Sequence, residues 1–168
     1  MIIQNVGHYA RMKKRFTYIY GKNFDPWNIE YNLPFFIEAE MTKPILGSVK
    51  TSWPEHVRGW VSSSMPHFVR YEEMLADSEG TLAKLLSEYV DQEVDLDEVR
   101  YTVKRYSFEN KTGRQRGEED RSSFARKGIS GDWKNYFNAE ARQIFDHYAG
   151  DLLIELGYEK DHSWVEKS

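Results

Sequence analysis

Beyond residue 50 the apolar positions recur with a helical period, whereas the first 46 residues are irregular in pattern. Trp53, Val57, Trp60 and Val61 fall at helical spacing behind Ser52-Trp53-Pro54-Glu55, which reads as a capping box with proline in the first turn. Serine and glutamate there each satisfy a backbone N–H that the first turn of a helix leaves without a partner. The pattern predicts a helix of about three turns whose aromatic face lies in the core. His67-Phe68-Val69-Arg70-Tyr71 is short, apolar and β-rich, bounded by Pro66 and the acidic pair Glu72-Glu73, and predicts a strand.

A second helix is expected from Asp77, a good N-cap, with Leu82, Leu85, Leu86 and Tyr89 on one face. A third runs through Val99 to Tyr106. The last begins near Asn138, turns Ile144, Phe145, Tyr148, Leu152 and Leu156 inward, and stops at Gly157. Residues 109–131 set glycine and serine among dense charges of both signs, without an apolar period, and read as a long loop. Near the start, His8, Tyr9 and Met12 share one helical face, and Lys13-Lys14-Arg15 reads as a solvated helix end. Asn23 to Pro34 reads as loop with short helical turns. There are no internal repeats.

Composition narrows the function classes. The 168 residues suffice for one domain or a large piece of a bigger one, and 30% charged with 15% aromatic residues argues against disorder and fibrous repeats. A net charge of −4 is no electrostatic match for nucleic acid. The absence of cysteine removes disulfides, thiolate zinc sites and a cysteine nucleophile, and the five histidines show no metal-ligand spacing. Met1 to Val6 shows no basic region followed by a long apolar run, so no signal peptide is expected. No stretch approaches the ~20 apolar residues that span a bilayer, and a soluble, cytoplasmic protein without membrane partners is expected.

The segment that carries chemistry is Phe124-Ala125-Arg126-Lys127-Gly128-Ile129-Ser130-Gly131-Asp132-Trp133-Lys134-Asn135-Tyr136-Phe137. Adjacent arginine and lysine on a glycine-flanked loop suit one phosphate: arginine offers a planar fork to two oxygens, and lysine adds a compact point charge. Gly128 and Gly131 let the backbone come close and present N–H groups to an anion. Taken alone, a basic dipeptide between glycines is more often a solvated turn.

The full string resembles the Phe-x-Arg-Lys-Gly-x-x-Gly-Asp-Trp-Lys-Asn-x-Phe signature of the sulfotransferase family and matches it at every fixed position. Val69-Arg70-Tyr71-Glu72-Glu73-Met74 resembles the family's strand ending in Tyr-Glu-Asp-Leu/Met. Tyr106-Ser107-Phe108-Glu109-Asn110 is similar to its Thr-Ser-Phe adenine-contact segment, and His56-Val57-Arg58-Gly59-Trp60 to its His-Val-x-Ser-Trp region. The resemblance covers about residues 50 to 158.

The resemblance implies a donor, 3'-phosphoadenosine 5'-phosphosulfate (PAPS), whose spent form is 3'-phosphoadenosine 5'-phosphate (PAP). Arg126, Lys127 and the Gly128 backbone would hold the 3'-phosphate. Phe108 would pack on the adenine with Tyr71 and Tyr106 close by, and Phe124 and Ala125 would line the same pocket. Tyr106 stands where the family often has threonine. Trp133 and Phe137 are expected as structural anchors, and Asp132 as a cap of the next turn. The implied fold class is α/β, the C-terminal part of a P-loop-kinase-like sulfotransferase fold, mostly helical in this chain with little strand. The whole chain, 1–168, would be one incomplete domain: a divergent segment over 1–50 and the cofactor half over 51–158.

The family's other functional elements normally precede this region. They are a Pro-Lys-Ser-Gly-Thr-Thr-Trp loop for the 5'-phosphosulfate, a histidine general base and an Arg…Ser element at the 3'-phosphate. Gly47-Ser48-Val49-Lys50-Thr51-Ser52-Trp53 imitates such a loop but lacks a second glycine before the lysine and a strand leading in, so Ser52 is read as a helix cap. Gln4 falls where that element has its serine, and His8 resembles a histidine just after it. No catalytic residue is therefore expected in this chain. Of the family's dimerisation motif only Lys134 remains. The acceptor would be a small molecule or carbohydrate bearing a hydroxyl or amine, and a separate chain would be one source of the missing half. The alternatives are a non-catalytic nucleotide-binding or interaction module, and a carbohydrate-binding or structural domain.

Overall fold

The computed structural model describes Thr17, Asp25 and residues 28–42, 51–63, 68–90 and 93–166. His8, Gln4, the 13–15 basic cluster and most of the 47–53 segment lie outside the described residues. The described part falls into two compact units, one from Phe68 to Asp132 and one joining residues 28–63 to 133–166.

In the first unit, α3 (Tyr71–Ala76), α4 (Ser78–Tyr89), α5 (Leu96–Tyr106) and α6 (Phe108–Thr112) pack in succession, each on the next. Asp77 caps α4 by accepting from Gly80 N at 2.9 Å, as its sequence position predicts. Asp95 caps α5 through the amides of Asp97 and Glu98, so that helix starts earlier than the apolar period alone indicates. Val99 is the buried hydrophobic residue of this unit. The expected strand over 67–71 is not formed. Phe68 to Arg70 has no ladder partner and Tyr71 opens α3, so no strand occurs among the described residues. Arg70 instead spends its backbone on the start of α3, its N–H donating to Glu73 Oε2 at 3.3 Å and its carbonyl accepting from Met74 N at 3.1 Å.

The second unit is built on α7 (Ala139–Glu155), against which α1 (Ile29–Thr42), α2 (Trp53–Val61) and the 3-10 turn His162–Glu166 pack. Its core is Ile37, Ala141, Ala149, Leu152 and Trp164, with Leu152 0% exposed. Asn138 caps α7 and the chain turns at Gly157 with φ +72°, both as predicted. Tilted and edge-to-face rings link Trp53, Phe145, Phe137, Trp133 and Trp164 at centroid distances of 5.5 to 6.4 Å. Trp133 and Phe137 are thus anchors, as expected.

Three sequence expectations change. The segment read as loop up to Pro34 is helical from Ile29, capped by Asn28 Oδ1 on Tyr31 N at 3.2 Å. Proline is tolerated inside α1 because the carbonyl it leaves without an intrahelical donor, that of Glu30, accepts from Asn138 Nδ2 at 3.2 Å. The capping box of α2 forms, with Ser52 N donating to Glu55 Oε2 at 2.8 Å, but its aromatic face is not core: Trp60 is 54% exposed and Trp53 41%. The loop expected from residue 109 starts at Gly113, because Ser107 caps α6 through Asn110 N at 3.1 Å.

A candidate anion-binding loop

The loop after α6 folds back on itself. Gly117 N donates to the Lys127 carbonyl at 2.8 Å and Asp120 N to the Arg126 carbonyl at 3.0 Å. Arg114 fastens the closure from inside. Its Nη1 donates to the carbonyls of Glu118 at 2.6 Å and Arg126 at 2.8 Å, and its Nη2 to that of Ala125 at 2.5 Å. The same guanidinium lies over the Phe108 ring, 5.1 Å from its centroid. Arg116 Nη1 reaches the Leu75 carbonyl at 2.9 Å and so ties the loop to the end of α3.

The closure brings the two central cations together. Arg126 donates to Glu119 and to Asp132, and Lys127 Nζ donates to the second Asp132 oxygen at 2.8 Å. These side chains are 23% and 22% exposed, and that of Asp132 10%, so solvent screens them only in part. Burial works against ionisation of Glu119, but the Arg126 hydrogen bond and the charges of Arg121, Arg126 and Lys127 outweigh it and hold its carboxyl below the usual range. Asp120 is lowered too, chiefly by hydrogen bonds from the Ser122 hydroxyl and amide.

Gly128 sits at φ +65°, and a Cβ there would lie 2.5 Å from Cδ2 of Phe108. The ring and the loop backbone are therefore in direct contact. Gly128 thus meets Phe108, Arg126 and Lys127 meet at Asp132, and Ala125 is held through its carbonyl. Tyr106 lies at the end of α5 with the Lys111 ammonium 4.2 Å from its ring centroid. Tyr71 is exposed on the first turn of α3, and Phe124 is 87% exposed. Asp132, expected as a cap, has an oxygen on each cation. Sequence reasoning missed Arg114, Arg116 and Glu119. Their signal was present as the charge density of Arg114-Gln115-Arg116-Gly117-Glu118-Glu119-Asp120, which has no period to assign partners.

Chemically, the loop holds oxyanions, here the carboxylates of Glu119 and Asp132, on two cations that directly precede the glycine in contact with a flat ring. No group of histidine or carboxylate side chains among the described residues is placed to hold a metal ion. No helix among them is long and apolar enough to cross a membrane.

The sequence model of the family described as "Sulfotransferase domain" matches residues 12–157. The chain belongs to the sulfotransferase family. Mouse Sulfotransferase 2A2 is 35% identical over 107 residues, 56% of this sulfotransferase chain and 37% of its own length. Mouse Sulfotransferase 1B1 is 32% identical over 138 residues, 74% of this chain and 46% of its own. The rabbit amine sulfotransferase is 28% identical over 129 residues, 66% of this chain and 40% of its own. The chain thus spans less than half the length of these relatives. No solved structure matches it. The mostly helical character expected of a family member holds among the described residues.

Proposed function

We propose that this chain carries the 3'-phosphoadenosine side of the donor site in a sulfotransferase that uses PAPS. The observation that supports this reading is the contact of Phe108 with Gly128, which puts a planar ring against the loop whose Arg126 and Lys127 grip anions. A 3'-phosphorylated adenosine presents a flat base and a doubly charged phosphate, and needs such a pair. In this reading Arg126, Lys127 and the Gly128 amide hold the 3'-phosphate and Phe108 packs on the adenine. Tyr71, Tyr106, Phe124 and Ala125 border the base.

The chain is then one incomplete domain of a P-loop-kinase-like fold. When bound, PAPS supplies an activated sulfuryl group, which the complete enzyme transfers to a hydroxyl or amine of a small-molecule or carbohydrate acceptor. The 5'-phosphosulfate loop and the general base come from sequence outside residues 50–158 or from a separate chain. Because the chain spans under half of its relatives, a nucleotide-binding module without catalysis is the second reading. A sulfuryl-transfer assay on the full chain separates the two.

Thermal unfolding of the full chain titrated with PAP, with AMP as the control lacking the 3'-phosphate, tests the site. At ~100-fold over the dissociation constant PAP adds about 2.7 kcal/mol, a rise of roughly 5–10 °C for a chain of this size. A rise with PAP and none with AMP is expected. Equal responses to both, or none to either, would overturn the assignment.

A further inference from the structure

The anion grip is closed on carboxylates of its own unit. Arg126 divides its two terminal nitrogens between Glu119 and Asp132, and Lys127 takes the second Asp132 oxygen at 2.8 Å. The two oxygens of one carboxylate therefore occupy the place where two oxygens of a phosphate held jointly by Arg126 and Lys127 would lie. Arg121 Nε stands 3.5 Å from the second Glu119 oxygen, so the two carboxylates already neutralise most of the charge of three cations. A phosphate approaching this cluster meets only weak attraction at a distance and carboxylate repulsion at contact, unless a carboxylate leaves.

The surroundings allow that departure. Gly131, directly before Asp132, has φ +74° and nothing within 4 Å of the position a Cβ would fill. Asp132 opens the 3-10 turn Asp132–Asn135, so a χ1 rotation moves its carboxylate without unwinding a helix. Glu119 is the more exposed of the two carboxylates, at 25% against 10%. It engages one end of the Arg126 fork, so its departure vacates a donor on that cation, whereas the departure of Asp132 vacates one on each cation.

Resting on the donor-site reading above, we propose that Asp132, seconded by Glu119, is an internal competitor for the 3'-phosphate: it fills the anion seat until a nucleotide displaces it. Binding is then an exchange of anions, and the exchange selects by charge. A phosphate monoester carries close to two charges at neutral pH and displaces a carboxylate carrying one. A carboxylate ligand gains nothing from the same exchange.

Isothermal titration of PAP into the full chain, wild type against Asp132→Asn and Glu119→Gln, with folding checked by circular dichroism, decides the point. Asp132→Asn is expected to bind PAP roughly tenfold more tightly, the change that goes with losing one charge contact of ordinary strength. Glu119→Gln is expected to show a smaller gain. Binding by the wild type with equal or weaker binding by a folded Asp132→Asn would overturn the proposal and make the carboxylate an orienting group. If Asp132→Asn does not fold, Glu119→Gln decides: a gain supports the competitor and no gain overturns it. Absence of PAP binding in the wild type and both variants would instead remove the donor-site reading itself, and the competitor with it. Binding by a variant but not by the wild type would be the strongest support.

Discussion

A methyl group at position 128 would lie 2.5 Å from Cδ2 of Phe108 on a backbone at φ +65°, so contact and conformation both select glycine there. Gly128→Ala is expected to cost about 1–3 kcal/mol, part from the left-handed backbone and part from overpacking against the ring. The two parts separate in a double-mutant cycle measured by urea unfolding. In a Phe108→Ala background the steric part disappears and the backbone part remains, giving a coupling of opposite sign to the single-site losses. Strict additivity would place the ring away from the loop. Arg114 shows the same economy at residue scale. One guanidinium serves three carbonyls and a ring face, and a lysine lacks the planar fork to replace it.

At the scale of elements, Asn138 joins two helices with one amide. Its Oδ1 caps α7 by accepting from Ala141 N at 2.8 Å, and its Nδ2 serves the Glu30 carbonyl that Pro34 strands inside α1. Asn138→Ala removes both and is expected to cost about 2 kcal/mol, roughly 1 for the cap and 1 for the stranded carbonyl. Asn138→Asp keeps the cap acceptor and loses the donor, so chemical denaturation should place it between wild type and alanine. If aspartate proves no better than alanine, the cap contributes nothing and the account of Pro34 carries the whole effect. Ser52 and Glu55 show that local chemistry suffices to start α2, but it does not choose which face of the helix is covered.

Across the whole molecule, stability responds to pH from both sides. His162 Nδ1–H donates to the Asp146 carboxylate at 2.9 Å, in company with the Trp164 Nε1–H bond to the same carboxylate at 2.7 Å. The hydrogen bond to Asp146, then its charge, raise the histidine above its ordinary 6.5. A raised folded value means that this stabilisation is fully present below 6.5 and is lost as pH rises through the higher folded value. Glu119 runs the other way: its lowered value means a contribution present above 4.5 and lost as pH falls through the folded value. The wild type should therefore lose thermal stability on both the acid and the alkaline side. Comparing thermal midpoints of wild type and His162→Gln over about pH 5 to 9 should show a difference that is largest at the acid end and shrinks as pH rises. A difference that grows with pH would contradict the pairing.

Local chemistry was legible in the sequence. The N-caps at Ser52, Asp77 and Asn138 and the stop at Gly157 depend on residues a few positions apart and could be read from spacing, and the string around Arg126 and Lys127 from its resemblance to the family signature. Three other features were decided only in three dimensions. A helix through Pro34 needs a donor for the Glu30 carbonyl, and Asn138, 108 positions away along the chain, supplies it only once the two helices pack. The segment at 67–71 has the composition of a strand, but its described residues Phe68 to Arg70 have no ladder partner, and composition carries no information about partners. The charged run from Arg114 to Asp120 names neither its carbonyls nor its ion pairs until the loop closes. Hydrogen bonds within one turn are dictated by the chain's own covalent geometry, whereas burial, strand pairing and ion-pair choice depend on which distant groups the fold brings within reach.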